Sequence, residues 1–455
     1  MSTQALGQGK IYRHLIRLAL PAMVAQLVNA LYNVIDRIFI GHIPDIGGIA
    51  MTGIGITLPL TITISAFSSL IGKGGAPLAG ISLGAGNKER AEKILGSSVG
   101  ALLILSVLLT AGLLLFKKEI LYAFGASDST IQYADEFITV YVLGTVFVLL
   151  ALGLNSFISI QGKAKIAMLS IIISAAANII LDVFFINIFQ WGVRGAAFAT
   201  VLSQSISAVW ILHFLCSKGS TIQIKLANIK PDMKIIKSIL KLGISPFIIE
   251  STTGLMNIIL NIQLSKYGDD MYIGALTIMT SIMQLVFIPL FGCTQGAQPI
   301  ISFNYGAGNY RRVLDTFKLM ITSSFLFGIL ALGGLLLYAR EIVGIFSNDP
   351  ELVALTADKM PIYFAGLWAI SLHVSCQTVF LAVGQAKISI FLVIFRKIIV
   401  ALPFIFLLPL FMQVDGIYFA TAIGDMAAGV MTSCIFLFQR KRIMNNEKRN
   451  KILAG

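Results

Sequence analysis

Two stripes of polar side chains run through segments that are otherwise apolar. Between about residues 15 and 40, Gln26, Asn29, Asn33 and Asp36 follow one another at spacings of three, four and three. On a helix that spacing puts all four on one face. Between about 166 and 189, Ser170, Ser174, Asn178 and Asp182 recur every four residues, and a third stretch adds Thr200 and Gln204, also four apart. At about 1.5 Å of rise per residue, Asp36, Asp182 and Thr200 fall at similar depth, toward the outer side of the membrane. Two carboxylates, an amide and a hydroxyl, with no ammonium in the stripe, make an oxygen-rich cluster. Such a cluster can take a sodium ion, or a proton on one carboxylate. Polar groups of this kind also glue helices together by hydrogen bonds, but two aspartates at one level are costly to bury and point to function. Asp36, Asn178, Asp182 and Thr200 are therefore the expected cation-coupling set, and the ligands of the ion if that ion is Na+.

The elements that must hold these residues are membrane spans. The chain has 455 residues, 57% hydrophobic and 12% charged, with mean hydropathy +0.87, against roughly 25% charged in a soluble protein. Twelve helices are expected, at about 15–40, 46–72, 94–116, 136–160, 166–189, 192–216, 243–266, 271–298, 313–338, 360–382, 388–411 and 414–438. The first is long enough to span and has no clear cleavage site. Loop charge alternates. Segment 73–93, the linker 217–242 and the tail 439–455 are net positive, whereas 117–136 and 339–359 are net negative. This pattern places both termini and the linker in the cytoplasm of a multi-pass cell-membrane protein. It also argues that the net charge of +13 records orientation rather than affinity for nucleic acid.

The chain is doubled. Gly84-Ala85-Gly86-Asn87 returns as Gly306-Ala307-Gly308-Asn309, an offset of 222, and Pro77 and Gly162-Lys163-Ala164-Lys165 find Pro299 and Gly384-Gln385-Ala386-Lys387 at the same offset. The fold class expected is an all-α polytopic membrane protein, its twelve transmembrane helices in two six-helix pseudo-symmetric lobes. These are residues 1–216 and 243–438, joined by the basic linker 217–242 and followed by the basic tail 439–455. Each lobe opens on a proline-bearing helix, with Pro21 and Pro246, and proline there permits either a fixed kink or a moving hinge.

The acids are not doubled. At the offset of 222, Asp182 and Asn178 correspond to Phe404 and Val400. The second half carries Glu250 instead, with Asn257 and Asn261 on the same helical face. Glu250, with Asn33 and Asn257, is the expected substrate site or second proton site. Arg396, Lys397 and Asp425 also fall within spans, where they can snorkel, pair or line a cavity, and the sequence does not choose. Arg37, near a span end, is expected to snorkel. The four cysteines, Cys216, Cys293, Cys376 and Cys434, have no metal-ligand spacing and are expected to be small buried residues without disulfides.

There is no G-x-x-x-x-G-K-[ST], no H-E-x-x-H and no Ser/His/Asp arrangement, so neither ATP binding of the P-loop type nor an enzyme is indicated. Transport driven by an ion gradient is what remains.

At these residues the chain resembles the multidrug and toxic compound extrusion (MATE) family, and its MepA-like branch in particular, over essentially its whole length. The family has an aspartate in helix one, an asparagine and aspartate four apart in helix five, and a threonine eighteen later, here Asp36, Asn178, Asp182 and Thr200. Glu250 is similar to the family's helix-seven glutamate. The acid that some members place in helix ten is absent, and Trp368, His373 and Gln377 occupy that span. The resemblance implies an antiporter that exports cationic or amphipathic drugs in exchange for H+ or Na+, two lobes about a central cavity that opens alternately to either side, no bound cofactor, and a role in antibiotic and xenobiotic resistance. A monomer is expected. The alternative within the same superfamily is a flippase for lipids or lipid-linked sugars, which should line its cavity with cations for phosphate.

Overall fold

A computed structural model describes residues 3–43, 46–268 and 270–444. The part of the expected basic tail from 445 to 455 lies outside the described residues. Those that are described form α-helices with short 3-10 and π segments, and no strand occurs among them. Among the described residues, ten helices are each long and apolar enough to cross a membrane, and two sharply bent pairs, each counted as one span, bring the candidate spans to twelve.

In the first half, α1 (Ile11–Gly41), α2 (Gly47–Gly84) and α3 (Lys88–Ala123) are followed by the bent pair α4 (Ile131–Leu143) and α5 (Thr145–Ile160). Then come α6 (Ala164–Asp182), which runs into a π segment Val183–Ile188, and α7 (Gly192–Cys216). The second half repeats the plan. It has α8 (Met233–Tyr267), α9 (Asp270–Gly306), α10 (Tyr310–Leu337), the short α11 (Ala339–Gly344) and the bent pair α12 (Pro350–Phe364) and α13 (Leu367–Ala382). It closes with α14 (Ala386–Ile394), a π segment Phe395–Ala401, α15 (Leu402–Leu407) and α16 (Pro409–Met444).

The repeated tetrapeptides are helix punctuation. Gly86 and Gly308 take φ of +78° and +73°, a left-handed conformation that ends a helix and favours glycine. The asparagine that follows opens the next helix. The Asn87 side chain accepts from the Arg90 N–H at 2.9 Å, and Asn309 accepts from the Arg312 N–H at 3.4 Å, as N-caps do. Gly162 and Gly384 repeat the left-handed turn at +78° and +74°.

Several expected boundaries move. The fourth and tenth spans are not continuous helices but pairs bent by 59° and 47°. α2 runs on to Gly84, so Lys73, read as a loop residue, is helical. α8 starts at Met233, inside the stretch expected to be linker. Hydropathy marks where lipid ends, whereas backbone hydrogen bonding continues beyond it, in α2 as far as the turn at the left-handed Gly86. The remaining linker is packed rather than loose: Gln161 Oε1 accepts from Ser220 Oγ at 3.1 Å and from the Thr221 N–H at 2.7 Å, Ile222 is buried, and Lys225 pairs with the buried Glu92 at 2.5 Å. All four cysteines are free; Cys293 and Cys376 are buried as expected, but Cys216 and Cys434 are exposed.

The contacts divide the chain into two compact units. Unit 1 comprises Met1–Leu6 and Val24–Glu250, and unit 2 comprises Gly7–Met23 and Ser251–Gly455. The two helices that open the halves therefore change allegiance part-way along, α1 just after Pro21 and α8 just after Pro246. Within unit 1, a methyl placed on Gly74 of α2 would lie 2.9 Å from Gly243 Cα of α8. Within unit 2, one placed on Gly296 of α9 would lie 2.9 Å from Ala19 Cα of α1. Small residues allow this approach, and in lipid close packing of this kind is a main source of helix association.

Candidate cation site and intramembrane ion pairs

The acidic end of the α1 stripe meets the stripes of α6 and α7 within unit 1. Asp182 is the last residue of α6. The helix then widens into the π segment, where the Phe189 N–H reaches back five residues to the Phe184 carbonyl at 2.8 Å. Wide turns of this kind concentrate at functional sites. Asn178 lies one turn before Asp182 on the same face, and both are fully buried. Thr200, at 6% exposure, donates to its own helix at the Ala196 carbonyl, 3.0 Å away. Asp36 on α1 is within electrostatic reach of Asp182, and the exposed Arg37 beside it is within reach of Asp36.

Tyr32 joins this group. It lies one turn before Asp36, its hydroxyl faces Thr200, and Asp36, Asp182 and Tyr141 are its electrostatic neighbours. In the sequence Tyr32 reads as an aromatic side chain that packs or lines an apolar pocket, not as part of the polar stripe. Its place four residues before Asp36 was the available signal.

The cluster is under-satisfied. Asp36 Oδ1, both carboxylate oxygens of Asp182, and the Oδ1 and Nδ2 atoms of Asn178 are buried with no hydrogen-bond partner in the protein. Buried polar groups are almost always paired, so five such atoms on three residues of one site call for an explanation. Four of the five are oxygens, a donor set suited to a hard cation such as Na+; a proton on Asp182 would neutralise the same charge. Among the described residues no three His, Cys, Asp or Glu side chains converge, so the donor set is not that of a transition-metal centre.

The other expected residues lie apart from this cluster. Asn33 is exposed and donates to the Asn29 carbonyl of its own helix at 2.8 Å. Asn257 is exposed on α8 in unit 2. Glu250, at the end of unit 1, is not an isolated charge, since its Oε1 accepts from Lys73 Nζ at 2.6 Å and from Ser69 Oγ at 2.6 Å.

In unit 2 the structure makes the choice that the sequence left open for three residues. Arg396 grips Asp425 Oδ1 through both Nε and Nη2 at 2.8 Å. Lys397 donates to Thr253 Oγ1 at 2.8 Å. Both cations sit in the π segment, Phe395–Ala401, as Asp182 sits at the start of its own. His373, fully buried, pairs through Nδ1 with Thr432 Oγ1 at 2.8 Å.

Comparison with known proteins bears on the family and the fold. The MatE family profile matches the chain twice, over residues 21–184 and 246–407, so the same unit is recognised in each half. Among curated proteins, the chain is 25% identical over 436 residues to the multidrug export protein MepA of Staphylococcus haemolyticus, covering 96% of this chain and 95% of that one. It is 23% identical over 433 residues to MepA of Staphylococcus aureus, covering 95% of each. Among solved structures, MATE in the bent conformation superposes with a TM-score of 0.90 at 23% identity, over 99% of both chains. A MOP superfamily transporter from Pyrococcus furiosus, described by the reverse polarity of its binding pocket, superposes with a TM-score of 0.88 at 23% identity, over 97% of this chain and 98% of that one.

Proposed function

The chain belongs to the MatE family, and on that premise we propose that it is a multidrug exporter rather than an enzyme. It carries cationic and amphipathic organic compounds out across the plasma membrane in exchange for H+ or Na+. The observation that carries the coupling is the set of five buried polar atoms without partners on Asp36, Asn178 and Asp182. Leaving carboxylates buried and unpaired costs on the order of several kcal/mol per ion, and an entering cation or proton removes that cost.

In this reading the coupling ion is neutralised at Asp36 and Asp182, and ligated by Asn178 and Thr200 if it is Na+. Its arrival changes how α1 packs against α6 and α7, because Tyr32 and Asp36 of α1 face Thr200 and Asp182. Drug affinity then falls. Linkage requires the reverse as well: bound drug weakens the cation by the same factor. The loop charges orient the protein with its termini and both GAGN turns in the cytoplasm. It works as a monomer in the bilayer without a resident cofactor. A flippase for phosphate-bearing lipids would need cations ready for phosphate, and the pairing of Arg396 with Asp425 favours the exporter reading.

The test is dye efflux in cells stripped of their own pumps, with H+ and Na+ gradients imposed separately. Wild type should respond to one of the two gradients, and Asp182→Asn should insert normally yet respond to neither. Full gradient-driven efflux by Asp182→Asn would sink the assignment.

A further inference from the structure

We propose that Lys73 is a built-in occupant of the Glu250 carboxylate, and that it makes this protein select organic cations bearing N–H donors over quaternary cations of equal charge. The inference rests on the exporter reading and names the substrate class for it.

The two oxygens of Glu250 differ. Oε1 holds Lys73 Nζ and Ser69 Oγ, each at 2.6 Å. Oε2 accepts no hydrogen bond from the described residues, and the Glu250 side chain is 26% exposed. An acid within a span turns its exposed side to a polar path rather than to lipid. A cation arriving along that path meets a carboxylate whose charge is already balanced, so bare charge gains little there. A ligand with N–H groups can instead donate into Oε2 and add a charge-assisted hydrogen bond without dislodging Lys73. A quaternary ammonium has no such donor and must compete with Lys73 by charge alone. The class favoured is protonated amines, amidines and guanidines.

Lys73 is held to this task by its neighbours. A methyl on Gly72 would lie 2.8 Å from Gly153 Cα, and one on Gly74 would lie 2.9 Å from Gly243 Cα. The α2 backbone is thus fixed on both sides of Lys73, and the Lys73 Cα cannot retreat. Ser69 lies one turn earlier on the same face of α2 and supplies the second donor to Oε1.

The experiment measures the affinity of the purified full-length protein for two permanently charged probes, benzylguanidinium, which has N–H donors, and benzyltrimethylammonium, which has none. Wild type should prefer benzylguanidinium. Lys73→Met should tighten benzyltrimethylammonium by about two- to fivefold, as expected for removing a partly exposed competing ion pair, and so narrow the preference. Lys73→Arg should keep the preference, and Glu250→Gln should abolish it. Ser69→Ala, which removes only a neutral donor, should narrow it more weakly and serves if Lys73→Met fails to fold. Equal affinities in wild type, or an unchanged ratio in both Lys73→Met and Ser69→Ala, would overturn the role of Lys73. Gradient-driven dye efflux is scored separately. Efflux without the probe preference removes this inference alone, and the preference without efflux removes the exporter reading alone.

Discussion

Gly74 and Gly296, 222 positions apart in the chain, do the same work in their two units. Each lets a helix backbone pass close to the first part of a proline-bearing helix, α8 in one case and α1 in the other. Gly74→Ala would put its methyl 2.9 Å from Gly243 Cα, and Gly296→Ala would put its methyl 2.7 Å from the Ala19 nitrogen. Both contacts are with backbone, which cannot step aside. Each variant should lose about 1–3 kcal/mol, read as a lower melting temperature in detergent. Gly333→Ala, which meets nothing within 4 Å, is the matched control and should be neutral or slightly stabilising.

At the cation site, Asp182→Asn exchanges a buried unpaired charge for an amide of the same shape. The variant should melt no lower than wild type while losing coupling to the ion gradient. Tyr32→Phe removes only the hydroxyl that faces Thr200 and should keep folding while weakening the response of efflux to the gradient. A normal gradient response in Tyr32→Phe would remove Tyr32 from the coupling set.

Arg396→Ala strands Asp425, which is 8% exposed, without its guanidinium. Breaking a buried pair in this way typically costs about 3–5 kcal/mol. Removing both partners together, in Arg396→Ala with Asp425→Ala, should cost less than the sum of the single changes, and thermal melts of the four proteins would measure the coupling. Additive losses would mean that the pair contributes no net coupling.

The two caps offer a cleaner additivity test. Asn87→Ala and Asn309→Ala should each cost about 1 kcal/mol. The caps lie in different units and open different helices, so the double variant should lose the sum. A double variant no worse than either single would show that the two turns do not act independently.

Pro21 and Pro246 each lie a few residues before the point where their helix passes from one unit to the other. Pro21→Ala and Pro246→Ala restore a backbone donor and should stiffen the passage. Efflux should slow while melting temperature holds or rises, whereas unchanged efflux would mark both as static kinks.

Much of this was legible in the sequence, for identifiable reasons. Asp36, Asn178, Asp182 and Thr200 stood out because polar spacing of three and four is conspicuous in apolar spans. The GAGN turns were legible as a repeat, because glycine and asparagine at a left-handed turn leave a compositional mark. Lys73 was misplaced because hydropathy falls away at about residue 72, and its partner Glu250 is 177 positions distant. The π segments after Asp182 and around Arg396 leave no such mark, since bonding to the fifth residue rather than the fourth needs no special composition. The bend at Gly144 was hidden inside a continuous apolar run, although a methyl there would meet the Val201 side chain at less than ordinary contact distance.

The division of α1 and α8 between units also bears on how the chain is made. Unit 1 needs residues as late as Glu250, and unit 2 needs Gly7–Met23 from the very start. The ribosome therefore delivers the first piece of unit 2 before any of the second half exists, and unit 1 stays incomplete until translation has passed the linker. A gene cut at that linker would yield two polypeptides, each missing a segment that the other carries. Neither fragment should persist alone in a cell, whereas the two expressed together could rescue one another.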